Sequence, residues 1–186
     1  MKIGVLPIGQ VPKNVPREIA QALPKIIPDT SCLAIENPLS LSLNAYVERR
    51  RQYSSSVILR GVRAFAEEYS EFDRVLGVVD VDFFASGFNF VFGEAYSPGE
   101  AALISLWRLK PGFYGETAGS GVFAERVVKE AVHELGHTLV LGHCSKESCV
   151  MHFSNSIFDT DKKESLFCRH DYLQASLTIK HFRETR

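Results

Sequence analysis

The run His133-Glu134-Leu135-Gly136-His137 restricts what this chain can fold into more than any other segment does. It lies in a stretch, Val122 to about Leu139, whose apolar residues recur with a helical period, with Val128, Val132, Leu135 and Leu139 as the core stripe. On that helix the two histidines are four residues apart, so both imidazoles project from one face, about one turn from each other. Side chains so placed can reach a single Zn²⁺ at about 2.0–2.1 Å. Glu134 is rotated off that face, where it can take a proton from a metal-activated water instead of ligating. The third ligand must then be swung back from outside the helix. His143 lies six residues beyond His137, past a turn that Gly142 permits. Three neutral imidazoles leave a fourth position for water, as a catalytic zinc requires. Surface histidines on an amphipathic helix would show the same short run, so the case for metal rests on the third histidine and on the residues that follow.

All six histidines, His133, His137, His143, His152 and His170 among them, and three of the four cysteines fall in the last third of the chain. Metal-capable groups are thus gathered in one segment, as a bland core would not need. Cys144, Cys149 and Cys168 offer three soft ligands, which in a reducing compartment favour a second, closed zinc site over disulfides or unrelated buried thiols. A fourth ligand is required. Ligand preference points to His170, while Asp171 stands three residues after Cys168, where a Cys-x-x-Cys knuckle would carry its second thiolate. Cys32 stands apart with no base assignable to it and reads as an ordinary buried thiol.

With 186 residues, 45% of them hydrophobic, the chain can build one domain with a real core. We expect a single unit over 1–186, an upper lobe of about 1–143 and a small zinc-bearing C-terminal lobe of about 144–186. Net charge is −1, which gives no field for nucleic acid or an anionic membrane, and the cysteine segment lacks a basic, aromatic-interleaved surface. The cluster Arg49-Arg50-Arg51 is short and reads as a solvated face. The apolar start, Met1 to Gly9, is broken by Gly and Pro and is too short for a signal sequence, so it reads as a buried strand. No stretch approaches the roughly 18 apolar residues of a membrane span. A cytoplasmic protein is expected.

Strands are expected at Ile3 to Ile8, Cys32 to Ile35 and Arg74 to Asp82, with β structure continuing through Phe88 to Phe92 and Ala101 to Leu109. A helix is expected over Ser56 to Tyr69, where Val57, Leu59, Val62, Phe65 and Ala66 recur at near-helical spacing. Gly112 to Gly121 reads as a loop ending at Ser120, a helix cap. The polar, Cys-bearing remainder has no clear period. The order β, β, α, β, β, β, α, irregular specifies an α+β fold of the α/β-sandwich type: a mixed sheet with a backing helix and an active-site helix, and a small irregular C-terminal subdomain.

Taken together, His133-Glu134-Leu135-Gly136-His137, His143-Cys144, Cys149-Val150-Met151 and Phe167-Cys168 resemble the archaemetzincins, a branch of the metzincin metallopeptidases. The similarity extends upstream through Leu76 to Asp82, Asn89 to Phe92 and Ala102 to Leu106. The resemblance implies a metzincin-like fold and a peptidase acting on peptides. It implies two zinc ions, one catalytic on His133, His137 and His143 with Glu134 as general base, and one structural on the cysteines. It also implies that Met151, otherwise a core filler, forms a methionine turn beneath the catalytic metal, and that Ala101 to Leu109 offers a strand edge to an extended peptide. Two departures stand out. Val140 occupies the position of the motif glycine, so Gly142 is expected to take over the turn; the fourth cysteine is missing and the spacer after Met151 is one residue shorter. A misplaced His143 would instead leave a peptide-binding zinc protein with a weak or inactive site.

Overall fold

A computed structural model of the chain describes residues 1–117 and 119–184, apart from the side chain of Ser120. Its centre is a five-stranded sheet built from β1 (Lys2–Ile8), β2 (Ser31–Ala34), β5 (Arg74–Val79), β7 (Gly93–Ala95) and β8 (Ala101–Ser105), in the order β2-β1-β5-β8-β7. All neighbours are parallel except β7, which runs antiparallel to β8. A small three-stranded sheet, β3 (Tyr46–Val47), β4 (Gln52–Ser54) and β6 (Phe83–Phe84), lies to one side.

Parallel strands need covering on both faces, which is why β5 and β8 read as unbroken apolar runs in the sequence. On one face Ile3, Val5, Leu76, Val78, Ala102 and Ile104 join a core with α1 (Asn14–Ala22) and α3 (Ser120–Thr138). On the other, Leu6, Ile8, Val75, Val79 and Leu103 pack against Ile58, Leu59 and Val62 of α2 (Ser55–Glu68). The alternation along each strand sorts its side chains to the two faces. The mixed sheet, the backing helix α2 and the long helix α3 bear out the expected fold class.

Four expectations are corrected. Residues 9–30, which read as a loop between the first two expected strands, carry a helix, α1, flanked by Pro12 and Pro24 and docked through Val15, Pro16 and Ile19. Phe88 to Phe92 forms no strand, and the sheet edge begins only at Gly93. The C-terminal segment is helical, not irregular, with α4 (Ile157–Lys162) and the 16-residue α5 (Arg169–Glu184). Its buried residues, Asp171, Ala175 and Ile179, make a stripe one side chain wide, while Leu173 and Leu177 face solvent. That mixture hides the period. Gly119, not Ser120, holds the cap position of α3.

Candidate metal centre and active site

α3 passes under the sheet and carries His133 and Glu134, each 5% exposed. The Nδ1 of His133 lies 2.7 Å from the carbonyl oxygen of Val150, and the Nδ1 of His137 lies 2.9 Å from that of Leu141. A carbonyl oxygen can only accept, so both Nδ1 atoms bear the proton and both Nε2 lone pairs are free. Those two Nε2 atoms face each other at 3.2 Å. Two lone pairs so opposed repel unless a cation lies between them, and a tetrahedral zinc would hold its nitrogens about 3.4 Å apart. The ring of His143 closes the group, its centroid 5.4 Å from that of His133 and 4.9 Å from that of His137. One ligand atom from each of the three lies within 4.8 Å of the others. The residues fit a zinc ion.

The return of the chain to His143 depends on the end of α3. The Val140 N–H donates to the carbonyl of His137 at 3.0 Å and the Leu141 N–H to that of Gly136 at 3.1 Å. These are the two bonds of a Schellman cap, whose left-handed residue is normally glycine. Here Val140 itself adopts φ 67° and Gly142 does not take a positive φ, contrary to the expectation that the turn would shift to Gly142. The tertiary contacts of Leu141 and His137 hold the valine in this strained state. His143 still reaches its partners.

Glu134 is pressed against Gly93 of β7 so closely that a Cβ there would occupy the space of the Glu134 side chain. Burial raises the Glu134 pKa well above the usual carboxylate range, the Glu130 carboxylate adds to the rise, and the Lys163 ammonium opposes it. Burial likewise holds His133 well below the usual imidazole range, aided by Lys163 and His137. Lys163 and Glu130 form a fully buried ion pair at 3.0 Å. Met151 is fully buried, with its Sδ against Gly136. A Cβ on Gly136 would collide with that sulfur, so the glycine between the two histidines makes room for the methionine.

The second cluster joins Cys144, Cys149, Cys168 and Asp171. The Sγ atoms of Cys144 and Cys168 are 3.9 Å apart, near the roughly 3.8 Å expected of two thiolates on one tetrahedral zinc. The Asp171 carboxylate lies 3.0 Å from Cys149 Sγ and 3.2 Å from Cys168 Sγ. The structure brings Asp171, not His170, to the sulfurs. Position i+3 in the first turn of α5 shares a face with Cys168, whereas the His170 side chain is 82% exposed and meets the Asp171 carboxylate at 3.1 Å. Cys32 stays apart, and burial pushes its thiol up to about 12.

A cleft runs past His133, lined by Phe88 to Gly93 and by Phe153 to Asn155. β8 is paired on both sides, so it is not the strand edge that the resemblance implied; β7 is. Several residues here carried no signal in the sequence. Phe153 packs edge-on to His143 at 4.8 Å, and Glu94 accepts from the hydroxyls of Ser55 and Ser56. Glu130 was legible only as a carboxylate one turn before Glu134.

A helix bearing two histidines and a buried carboxylate, closed by a third histidine under a mixed sheet, defines a zinc-dependent hydrolase. The chain belongs to Peptidase family M54, whose model matches residues 24–174, and is a zinc metallopeptidase of the archaemetzincin kind acting on peptide or protein substrates. It is 40% identical to the archaemetzincin of Pyrococcus furiosus over 175 residues, covering 89% of this chain and 87% of that one. The crystal structure of the Methanopyrus kandleri archaemetzincin superposes with a TM-score of 0.84 at 33% identity, over 97% of this chain and 96% of that one. A zinc-dependent peptidase from Methanocorpusculum labreanum gives 0.83 at 27% identity, over 93% and 99%.

Proposed function

We propose that the chain hydrolyses peptide bonds with a water for which Glu134 is the general base, and that His133, His137 and His143 hold the zinc. When bound there, zinc supplies Lewis acidity that polarises a carbonyl and lowers the pKa of water. The carrying observation is the opposition of two free Nε2 lone pairs at 3.2 Å beside a buried carboxylate. Glu134, held against Gly93, takes the proton from the attacking water and passes it to the leaving amine. The Val150 and Leu141 carbonyls fix the tautomer of their histidines and keep both Nε2 atoms unprotonated. Met151 and Gly136 set the height of the helix segment under the site. An extended substrate is placed along β7, the free edge of the sheet beside Glu134.

A second, structural zinc on Cys144, Cys149, Cys168 and Asp171 belongs to the same reading. Its support is the convergence of three thiols and a carboxylate at ligand spacing. All four cysteines are free, which suits a reducing, cytoplasmic setting. Glu134→Ala tests the mechanism. The zinc-loaded variant should bind metal as before and lose hydrolysis by at least about 10²-fold. Full activity in a folded, zinc-loaded Glu134→Ala protein would overturn the assignment of the base.

A further inference from the structure

The three histidines are held by unequal means. His133 and His137 each donate a ring N–H to a backbone carbonyl, at 2.7 and 2.9 Å. His143 is the exposed member of the group, and among the described residues its ring has no hydrogen bond. It also follows Val140 by three residues, so the strain at φ 67° favours any movement that lets the turn relax. The main chain beside His143 is nevertheless tied at both polar groups of Cys144. The Cys144 N–H donates to the Met151 carbonyl at 2.9 Å, and the Nδ1–H of His152 donates to the Cys144 carbonyl at 2.9 Å. The His152 N–H in turn donates to the Cys149 carbonyl at 2.9 Å. Phe153 then sets its ring against the His143 imidazole, with centroids 4.8 Å apart and planes at 62°. That is the spacing of a favourable edge-on aromatic pair.

We infer that His152 and Phe153 are positioning residues for the third metal ligand: His152 anchors the main chain beside His143, and Phe153 sets the angle of its ring. The inference rests on the reading that His133, His137 and His143 hold zinc. An imidazole free to turn loses orientational freedom when it binds a metal, and partners that fix it beforehand remove that cost. Partners of this kind are typically worth about 10–100-fold in metal affinity. Carbonyl acceptors at Nδ1 do this for His133 and His137; a main-chain anchor and ring packing do it for His143. Two plainer readings compete. In one, His152 serves only the cysteine cluster, through Cys144. In the other, Phe153, which also lines the cleft past His133, is only a wall for substrate. Neither predicts a selective loss of the zinc held by the histidines.

Zinc alone, with no peptide and no turnover, separates these readings. Each protein is titrated with Zn²⁺ against a chromophoric chelator, and His137→Ala marks which zinc belongs to the histidines. His152→Leu keeps the branched shape and loses the donor. It should weaken the histidine-site zinc at least about tenfold while the cysteine-site zinc stays. His152→Asn, whose Nδ2 stands where the imidazole Nδ1 did, should bring the affinity back to within about threefold of wild type. Phe153→Ala should weaken the same zinc by about tenfold, and Phe153→Tyr, which keeps the ring, should not. Unchanged histidine-site affinity in His152→Leu or Phe153→Ala overturns the inference. So does loss of the cysteine-site zinc ahead of the other, or failure of the two conservative variants to restore binding. If His152→Leu does not fold, Phe153→Ala decides the matter, because that side chain is 38% exposed and its truncation leaves the core intact. Equal zinc binding by wild type and His137→Ala overturns the histidine site itself along with the inference.

Discussion

The sulfur of Met151 fills the space in which a Cβ on Gly136 would stand. The glycine of the histidine run is thus a packing requirement set by a residue fifteen positions away, and it fixes how the helix segment between His133 and His137 rests on its floor. Gly136→Ala should destabilise the protein by about 1–2 kcal/mol, because overpacking a full core outweighs the gain of up to about 1 kcal/mol in helix propensity. Urea unfolding of the zinc-loaded protein measures this. A stabilised variant would mean that Met151 yields without cost.

Val140 is a half-exposed β-branched residue held at φ 67°. Val140→Gly removes the strain, worth about 1–2 kcal/mol, against about 0.5–1 kcal/mol of added freedom in the unfolded chain. A net gain of about 0.5–1 kcal/mol is expected from denaturant midpoints. Because His143 already meets its partners, peptidase activity should change by less than about twofold; a large rise would show that the valine displaces His143 in solution.

Asp171 and His170 separate cleanly in a metal count. Elemental analysis after gel filtration should find about two zinc ions per chain in wild type and in His170→Ala, and close to one in Asp171→Ala. A loss of metal in His170→Ala with retention in Asp171→Ala would reverse the assignment.

The histidines give the metal-free protein a defined pH dependence. Burial and Lys163 hold the folded His133 well below the unfolded value of about 6.5, and burial lowers His137 as well. Protons therefore bind the unfolded chain first, so stability is full above about pH 6.5 and is lost as pH falls below it. Glu134 has the opposite sign, since its raised pKa makes its contribution fall as pH rises. In chelated Glu134→Gln protein, where that group is gone, lowering the pH from 7.5 to 5.5 should cost about 2 kcal/mol from His133 and His137. Unfolding free energies at the two pH values measure it, and a flat profile would show that these imidazoles titrate normally in the fold.

The fold was legible wherever one face or both faces of an element are buried in a wide band. β5 and β8 read as apolar runs because helices cover both sides of them, and α3 read as a helix because its core stripe is broad. α5 did not, since only Asp171, Ala175 and Ile179 are buried along it and exposed leucines interrupt the pattern. The short edge strand β7 has three half-buried residues, too few to show an alternation.

What the sequence by itself determined is the local chemistry: two imidazoles one helical turn apart, a carboxylate beside them, a third histidine within reach and three thiols nearby. These follow from spacing along one backbone, which a helix converts directly into geometry. Only the tertiary structure decided which partners meet across the chain. It placed Asp171 instead of His170 among the sulfurs, put Gly93 under Glu134 and Met151 under Gly136, kept Val140 left-handed, and buried Lys163 beside His133. Each of these depends on packing between segments far apart in the chain, and no local period records such contacts.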